Sequence, residues 1–196
     1  PFLSAIVDGC IESATDCYAG GAAYFHTPYQ AAGLATTADA LVAIRKLVYE
    51  EGILSLAELA RVLEADFEGR EDLCQRLRER YPKFGNDAEE VDELAAQVAA
   101  EFCRRVRAHP TRWGNGRGNW PGLYSFGQNH IHMGRATGAT ADGRRAGAPI
   151  SFNLSPSPGR ARKGPTATCN SVAGIDFSLV SGGGTFDLSL DRSNLG

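Results

Sequence analysis

The chain has 196 residues, 43% of them hydrophobic and 22% charged, with a formal net charge of −3. Such a length and apolar content suit one domain, or a piece of a larger one, and exclude wholesale disorder, a collagen-like repeat and a coiled coil. No window approaches the roughly 18 uninterrupted apolar residues of a membrane-crossing helix, and Pro1-Phe2-Leu3-Ser4 lacks the charged start and cleavage site of a secretory signal.

Taken in chain order, residues 2–7 read as a short apolar, β-rich run that breaks at Asp8-Gly9. Leu41, Ile44 and Val48 then recur at spacings of three and four, with Gly52 placed as a helix stop. Ser55 followed by Glu58 has the form of a capping box ahead of Leu59 and Leu63. Asp87 with Glu90 repeats that form before Val91, Leu94, Val98 and Phe102, a helical stripe reaching about Arg107. After Pro110 the helical period disappears. Short strand-like runs stand at 150–154, 173–180 and 185–190, where Phe186, Leu188 and Leu190 alternate. Charge divides the chain near residue 101: 19 acidic against 8 basic side chains before it, 4 against 12 after it. Strand, helical block, then long loops and strands together imply an α/β fold. A stretch of about sixty residues with so little regular structure is uncommon unless it has a function.

Cys10, Cys17, Cys74, Cys103 and Cys169 are an odd number of thiols in a chain with no export signal. A disulfide framework is therefore not expected and a reducing cytoplasm is. In the helical patterns, Cys74 and Cys103 read as small buried hydrophobes. Gly114-Asn115-Gly116-Arg117-Gly118 lacks the spacing of a dinucleotide fingerprint, and Gly182-Gly183-Gly184-Thr185 has no lysine for a phosphate loop. The Arg112–Trp120 segment interleaves arginines with aromatics, but the acidic balance of the whole chain weighs against a nucleic-acid partner. Cys10, Cys17 and His26 have no zinc-like spacing, so no metal site is expected.

The most suggestive chemistry lies in Asp8-Gly9-Cys10-Ile11-Glu12. A strand running into this glycine would leave the Cys10 thiol and the Glu12 carboxylate two residues apart on one side of extended backbone. A thiol serves as nucleophile or hydrogen-atom donor, and a carboxylate beside it moves protons.

Gly9-Cys10-Ile11-Glu12 resembles the Gly-Cys-Val-Glu finger loop of the glycyl-radical enzymes, the pyruvate formate-lyase superfamily. In the same order as in that family come Pro82-Lys83-Phe84-Gly85-Asn86-Asp87 with Val91-Asp92-Glu93-Leu94-Ala95, then Thr137–Gly147 with its Asp142-Gly143-Arg144-Arg145. Leu154-Ser155-Pro156-Ser157-Pro158-Gly159 and Gly164-Pro165-Thr166-Ala167 complete the match, which covers most of residues 1–175. The resemblance implies that residues 1–196 are part of a ten-stranded α/β barrel. Within it, 1–36 would be the Cys finger-loop strand region, 37–108 a helical block and 109–196 Gly/Arg-rich loops and strands. It implies radical cleavage of a C–X bond in a small-molecule substrate under anaerobic conditions, with a thiyl radical on Cys10 and Glu12 as general base. The radical would be stored on a glycine outside this chain, installed by a separate activating enzyme that uses S-adenosylmethionine and an iron–sulfur cluster. The full-length form would be a homodimer. No Arg-Val-(Ser/Ala)-Gly motif for that glycine is present, so the sequence is read as an excerpt of a longer one. Pyruvate formate-lyase itself carries two adjacent cysteines and no Glu at this loop, so a dehydratase or other lyase fits better; a pyruvate formate-lyase-like C-acyltransferase, an arylacetate decarboxylase and a non-catalytic truncated fragment of the scaffold are the alternatives. Tyr24, Phe25 and His26, just after the loop, are candidates either for pocket lining or for plain packing. In their Asp-Gly turn, Arg144 and Arg145 are expected to tie loops together rather than to react.

Overall fold

A computed structural model describes residues 2–110 and 118–188. Local signals set the helices. Ser55 and Glu58 close a reciprocal capping box, the Ser55 hydroxyl accepting from Glu58 N–H at 3.2 Å and the Glu58 carboxylate from Ser55 N–H at 2.8 Å, and α2 (Leu56–Glu64) begins there. Before it, α1 (Leu34–Ile44) continues into a π-helical stretch, Arg45–Glu50, and the chain leaves it through Gly52 at φ +62°. The next helix, α3 (Glu71–Glu79), has acids in its first turn and arginines in its last, matching the helix dipole. Twenty residues long, α4 (Glu89–Ala108) buries Val91, Ala95, Ala99, Cys103 and Val106 along one stripe. Its expected cap is displaced. Asp87 takes a left-handed φ of +52° and accepts from Asn170, while Asp92 reaches back to accept from Ala88 N–H at 2.9 Å.

Two strands, β1 (Thr27–Gln30) and β2 (Asn119–Gly122), pair in parallel with Thr27 opposite Asn119 and Gln30 opposite Gly122. Parallel neighbours need a long crossover, and α1 to α4 supply it. Packing of α1 on α4 places Ala38, Val42, Phe84, Val91 and Ala95 in the main core. A second cluster joins Leu47, Leu59, Phe67, Leu73 and Leu77 under α2 and α3. The architecture is mixed α/β, as the element order implied.

Several expected strands are not there. Residues 2–7 contain a 3-10 turn, Leu3–Ala5, and the Ala5 and Ile6 amides bond back to the Phe2 and Leu3 carbonyls rather than across to a strand. Residues 150–154 bend at Asn153, φ +52°, whose amide side chain holds Ser125 N–H and Asp187. Residues 173–180 belong to the end of α6 (Gly164–Ala173) and to a 3-10 turn capped by Asp176. Residues 185–188 are tied to Leu154 and Ser155 rather than to a strand; 189 and 190 lie outside the described residues. So does most of the arginine–aromatic segment, 111–117. Conversely, α5 (Asn129–Arg135) and α6 occur where no helical period was legible. In α6 the buried positions are Ala167, Thr168, Ser171 and Val172, so small and polar residues do the packing that an apolar stripe would announce.

Candidate active site: a closed loop around Cys10

Residues 8–23 form a loop pinched at its neck, where Ala23 N–H donates to Asp8 O at 2.7 Å. Glycine is required on both sides of the crossing. At Gly9, φ is +90°, and a Cβ would stand 2.7 Å from Ala23 N and 2.9 Å from Gly21 O. A Cβ on Gly21 would stand 2.0 Å from Thr15 O. Beyond the neck the chain coils instead of extending: Cys10 N–H donates to Val7 O, Ser13 N–H to Gly9 O and Thr15 N–H to Cys10 O. The extended backbone expected at residues 10–12 is therefore a turn, and Cys10 and Glu12 do not share a face. Cys10 points inward and is 3% exposed, packed in a cluster with Cys17, Ala22, Val7 and Phe25. Glu12 lies on the exposed rim with Ile11, its carboxylate accepting from Gly9 N–H at 3.1 Å.

A polar clamp missed in the sequence holds the far side of the loop. Ser4 Oγ donates to the Asp16 carboxylate at 2.7 Å and accepts from Cys17 N–H at 3.1 Å. Asp16 also accepts from Tyr18 N–H, capping the 3-10 turn Cys17–Ala19. The only signal for it is Asp16 standing where it can fold onto an amide two residues on, ahead of Gly20-Gly21. The Ser4 and Tyr18 donors hold the Asp16 carboxyl below its ordinary range.

Burial pushes the Cys10 thiol pKa up, and the neighbouring Cys17, Asp16 and Glu12 push it in the same direction. Cys10 is thus kept as S–H rather than thiolate. That form suits hydrogen-atom donation and is the wrong one for a polar nucleophile, which needs the anion. After the loop, Tyr24 is 85% exposed, Phe25 packs beneath Cys10, and the His26 ring stacks on Trp120 with centroids 3.4 Å apart. Among the described residues no three His, Cys, Asp or Glu side chains gather into a set that would hold a metal ion.

A second polar centre lies deep between α1 and the later loops. Asp39, 0% exposed, accepts from Phe84 N–H at 2.7 Å and from Ser157 Oγ at 3.4 Å. Lys83, also buried, donates to Leu77 O at 2.7 Å. Burial raises the Asp39 carboxyl pKa to about 7, opposed by Lys83 and the Phe84 amide, and burial lowers the Lys83 pKa. Arg144 donates to the carbonyls of Ala148, Gly138, Arg145 and Thr137 and to the Thr140 hydroxyl, while Arg145 reaches Asp66 O at 2.8 Å. Both arginines act as loop ties, with Arg144 beside a cavity of about 330 Å³ that Thr36 and Ser157 also line.

Comparison with known proteins shows what the chain resembles. The sequence model of the family described as pyruvate formate lyase-like matches residues 1–133. A probable dehydratase of Escherichia coli strain K12, YbiW, is 36% identical over 197 aligned positions, covering 98% of this chain and 24% of that protein. The glycerol-bound form of the B12-independent glycerol dehydratase from Clostridium butyricum superposes with a TM-score of 0.86 at 40% identity, over 94% of this chain and 23% of that one. A glycyl radical enzyme from Archaeoglobus fulgidus gives a TM-score of 0.85 at 32% identity, over 94% of this chain and 23% of that one. The chain spans about a quarter of the length of these relatives.

Proposed function

The chain belongs to the pyruvate formate lyase-like family, and from that premise we propose that it is the cysteine-loop segment of a glycyl-radical enzyme of the dehydratase or lyase type. One observation carries the reading: a buried thiol kept protonated inside a loop whose neck only glycine can build. The dehydratase names of two relatives at 36% and 40% identity, and the absence of a second cysteine next to Cys10, favour elimination over acyl transfer.

In this reading the β1–β2 pair contributes two staves to a ten-stranded barrel completed by the rest of the full-length polypeptide, which would act as a homodimer. Cys10 yields its hydrogen atom to a radical glycine elsewhere in that polypeptide, where a separate S-adenosylmethionine-dependent, iron–sulfur activating enzyme generates it. The Cys10 thiyl then takes a hydrogen atom from a substrate carbon, and Glu12, on the exposed rim of the same loop, exchanges a proton with a substrate hydroxyl as the leaving group departs. Enclosure of the sulfur keeps water and oxygen from the radical.

The test uses the full-length, anaerobically activated enzyme. Cys10→Ser abolishes turnover while the glycyl radical still forms, because the serine O–H bond is too strong to relay it. Glu12→Gln keeps hydrogen exchange with deuterated substrate but slows elimination on the order of 10²–10⁴-fold. Substantial turnover in Cys10→Ser would overturn the reading. A silent Glu12→Gln would leave the radical step standing and favour the acyltransferase or decarboxylase branch.

A further inference from the structure

The five thiols are distributed unequally. Cys103 belongs to the main core, Cys74 to the cluster under α2 and α3, where its sulfur meets Gly143 O at 3.4 Å, and Cys169 is exposed. Cys10 and Cys17 are different: they are two of the three buried members of one small cluster, the third being Ala22. No other two cysteines share a cluster. The loop itself brings them together. Thr15 N–H bonds back to Cys10 O, and the Ser4–Asp16 clamp turns Cys17 inward, so the entropy of closing the seven-residue separation is already spent in the fold.

We propose that Cys10 and Cys17 are a convertible dithiol, oxidised by a small-molecule disulfide to a bond within the loop. Cys17, the less buried at 7% exposure against 3%, attacks first. As thiolate it breaks the S–S bond of the reagent, forms a mixed disulfide and releases one small thiol. Cys10, as thiolate, attacks the Cys17 sulfur; the Cys10–Cys17 bond forms and the second small thiol leaves. The protein loses two hydrogens and the reagent is reduced to two thiols. Because both sulfurs are enclosed and Cys10 resists ionisation, the exchange is slow and speeds up in alkaline solution. Oxidised, Cys10 has no S–H left to give. That consequence rests on the radical reading above, whereas the bond itself does not.

The experiment takes the full-length protein before activation, incubates it anaerobically with oxidised glutathione, alkylates the remaining thiols and digests it with a protease that cuts after glutamate. Cleavage at Glu12 separates Cys10 from Cys17. The expected result is that the two peptides stay joined, lighter by two hydrogens than their sum, and part on reduction with dithiothreitol, while Cys169 carries glutathione. In Cys17→Ser protein with an unchanged circular dichroism spectrum, no such joined species forms. Separate glutathione adducts on Cys10 and Cys17, or two alkylatable thiols after Cys169 is fully modified, would overturn the proposal. The mass readout leaves the radical reading untouched, since turnover of Cys10→Ser decides that separately.

Discussion

Replacing Asp39 with Asn removes a titrating group from the interior while keeping an oxygen to accept from Phe84 N–H. An unfolded Asp ionises near 3.8, and folded Asp39 holds its proton up to about 7. Its folded pKa is raised, so its contribution to stability is full below the unfolded value and is lost as pH rises through the folded one. At about 1.4 kcal/mol per unit of pKa difference, the loss between about pH 5 and pH 7 is roughly 2 kcal/mol, in a residue with no exposure to screen it. Asp39→Asn should therefore lose that slope. At the lower pH the exchange itself costs about 1–3 kcal/mol, because the amide keeps one oxygen for Phe84 N–H and puts an N–H2 where Ser157 Oγ donates. Hydrogen exchange of peptides spanning residues 78–88 in the full-length protein, at both pH values, reads the local opening free energy. Parent and variant should differ more at the lower pH and converge at the higher. Equal pH slopes in the two proteins would refute the assignment of a protonated, buried Asp39.

Gly9→Ala places a methyl 2.7 Å from Ala23 N at φ +90°, costing about 1–3 kcal/mol of backbone strain; faster hydrogen exchange across residues 8–23 with unchanged exchange in α4 is the expected signature. Arg144→Lys cannot reach the Ala148 and Gly138 carbonyls together, so the Thr137–Gly147 loop should loosen by about 1–3 kcal/mol per carbonyl left unpaired. Intact folding with abolished turnover in that variant would make Arg144 catalytic instead.

The motifs made the family legible, and local chemistry made α2 and α4 legible, because a capping box and an apolar stripe are written within a few residues of each other. What failed were elements whose stability comes from elsewhere. The β-rich run 2–7 bonds its Ala5 and Ile6 amides within a turn and leaves Phe2 and Ile6 exposed, which composition alone does not reveal. In α6, Thr168 and Ser171 take the place of apolar packing by bonding Gly85 O and Asp92. No periodicity records that.

By itself, the sequence determined which chemistry is at stake: a glycine–cysteine–x–glutamate loop and a chain of family motifs around an α/β core. Tertiary structure decided how that chemistry is arranged. Cys10 and Glu12 stand two residues apart, yet the coil beyond the Gly9 neck turns one inward and the other outward. Cys17, seven residues away, becomes the thiol's neighbour, and Asp39 meets Phe84 and Ser157 across 45 and 118 residues. The reason is physical. Backbone hydrogen bonds and the burial of a few side chains choose the turn, and side-chain facing follows the turn rather than the spacing.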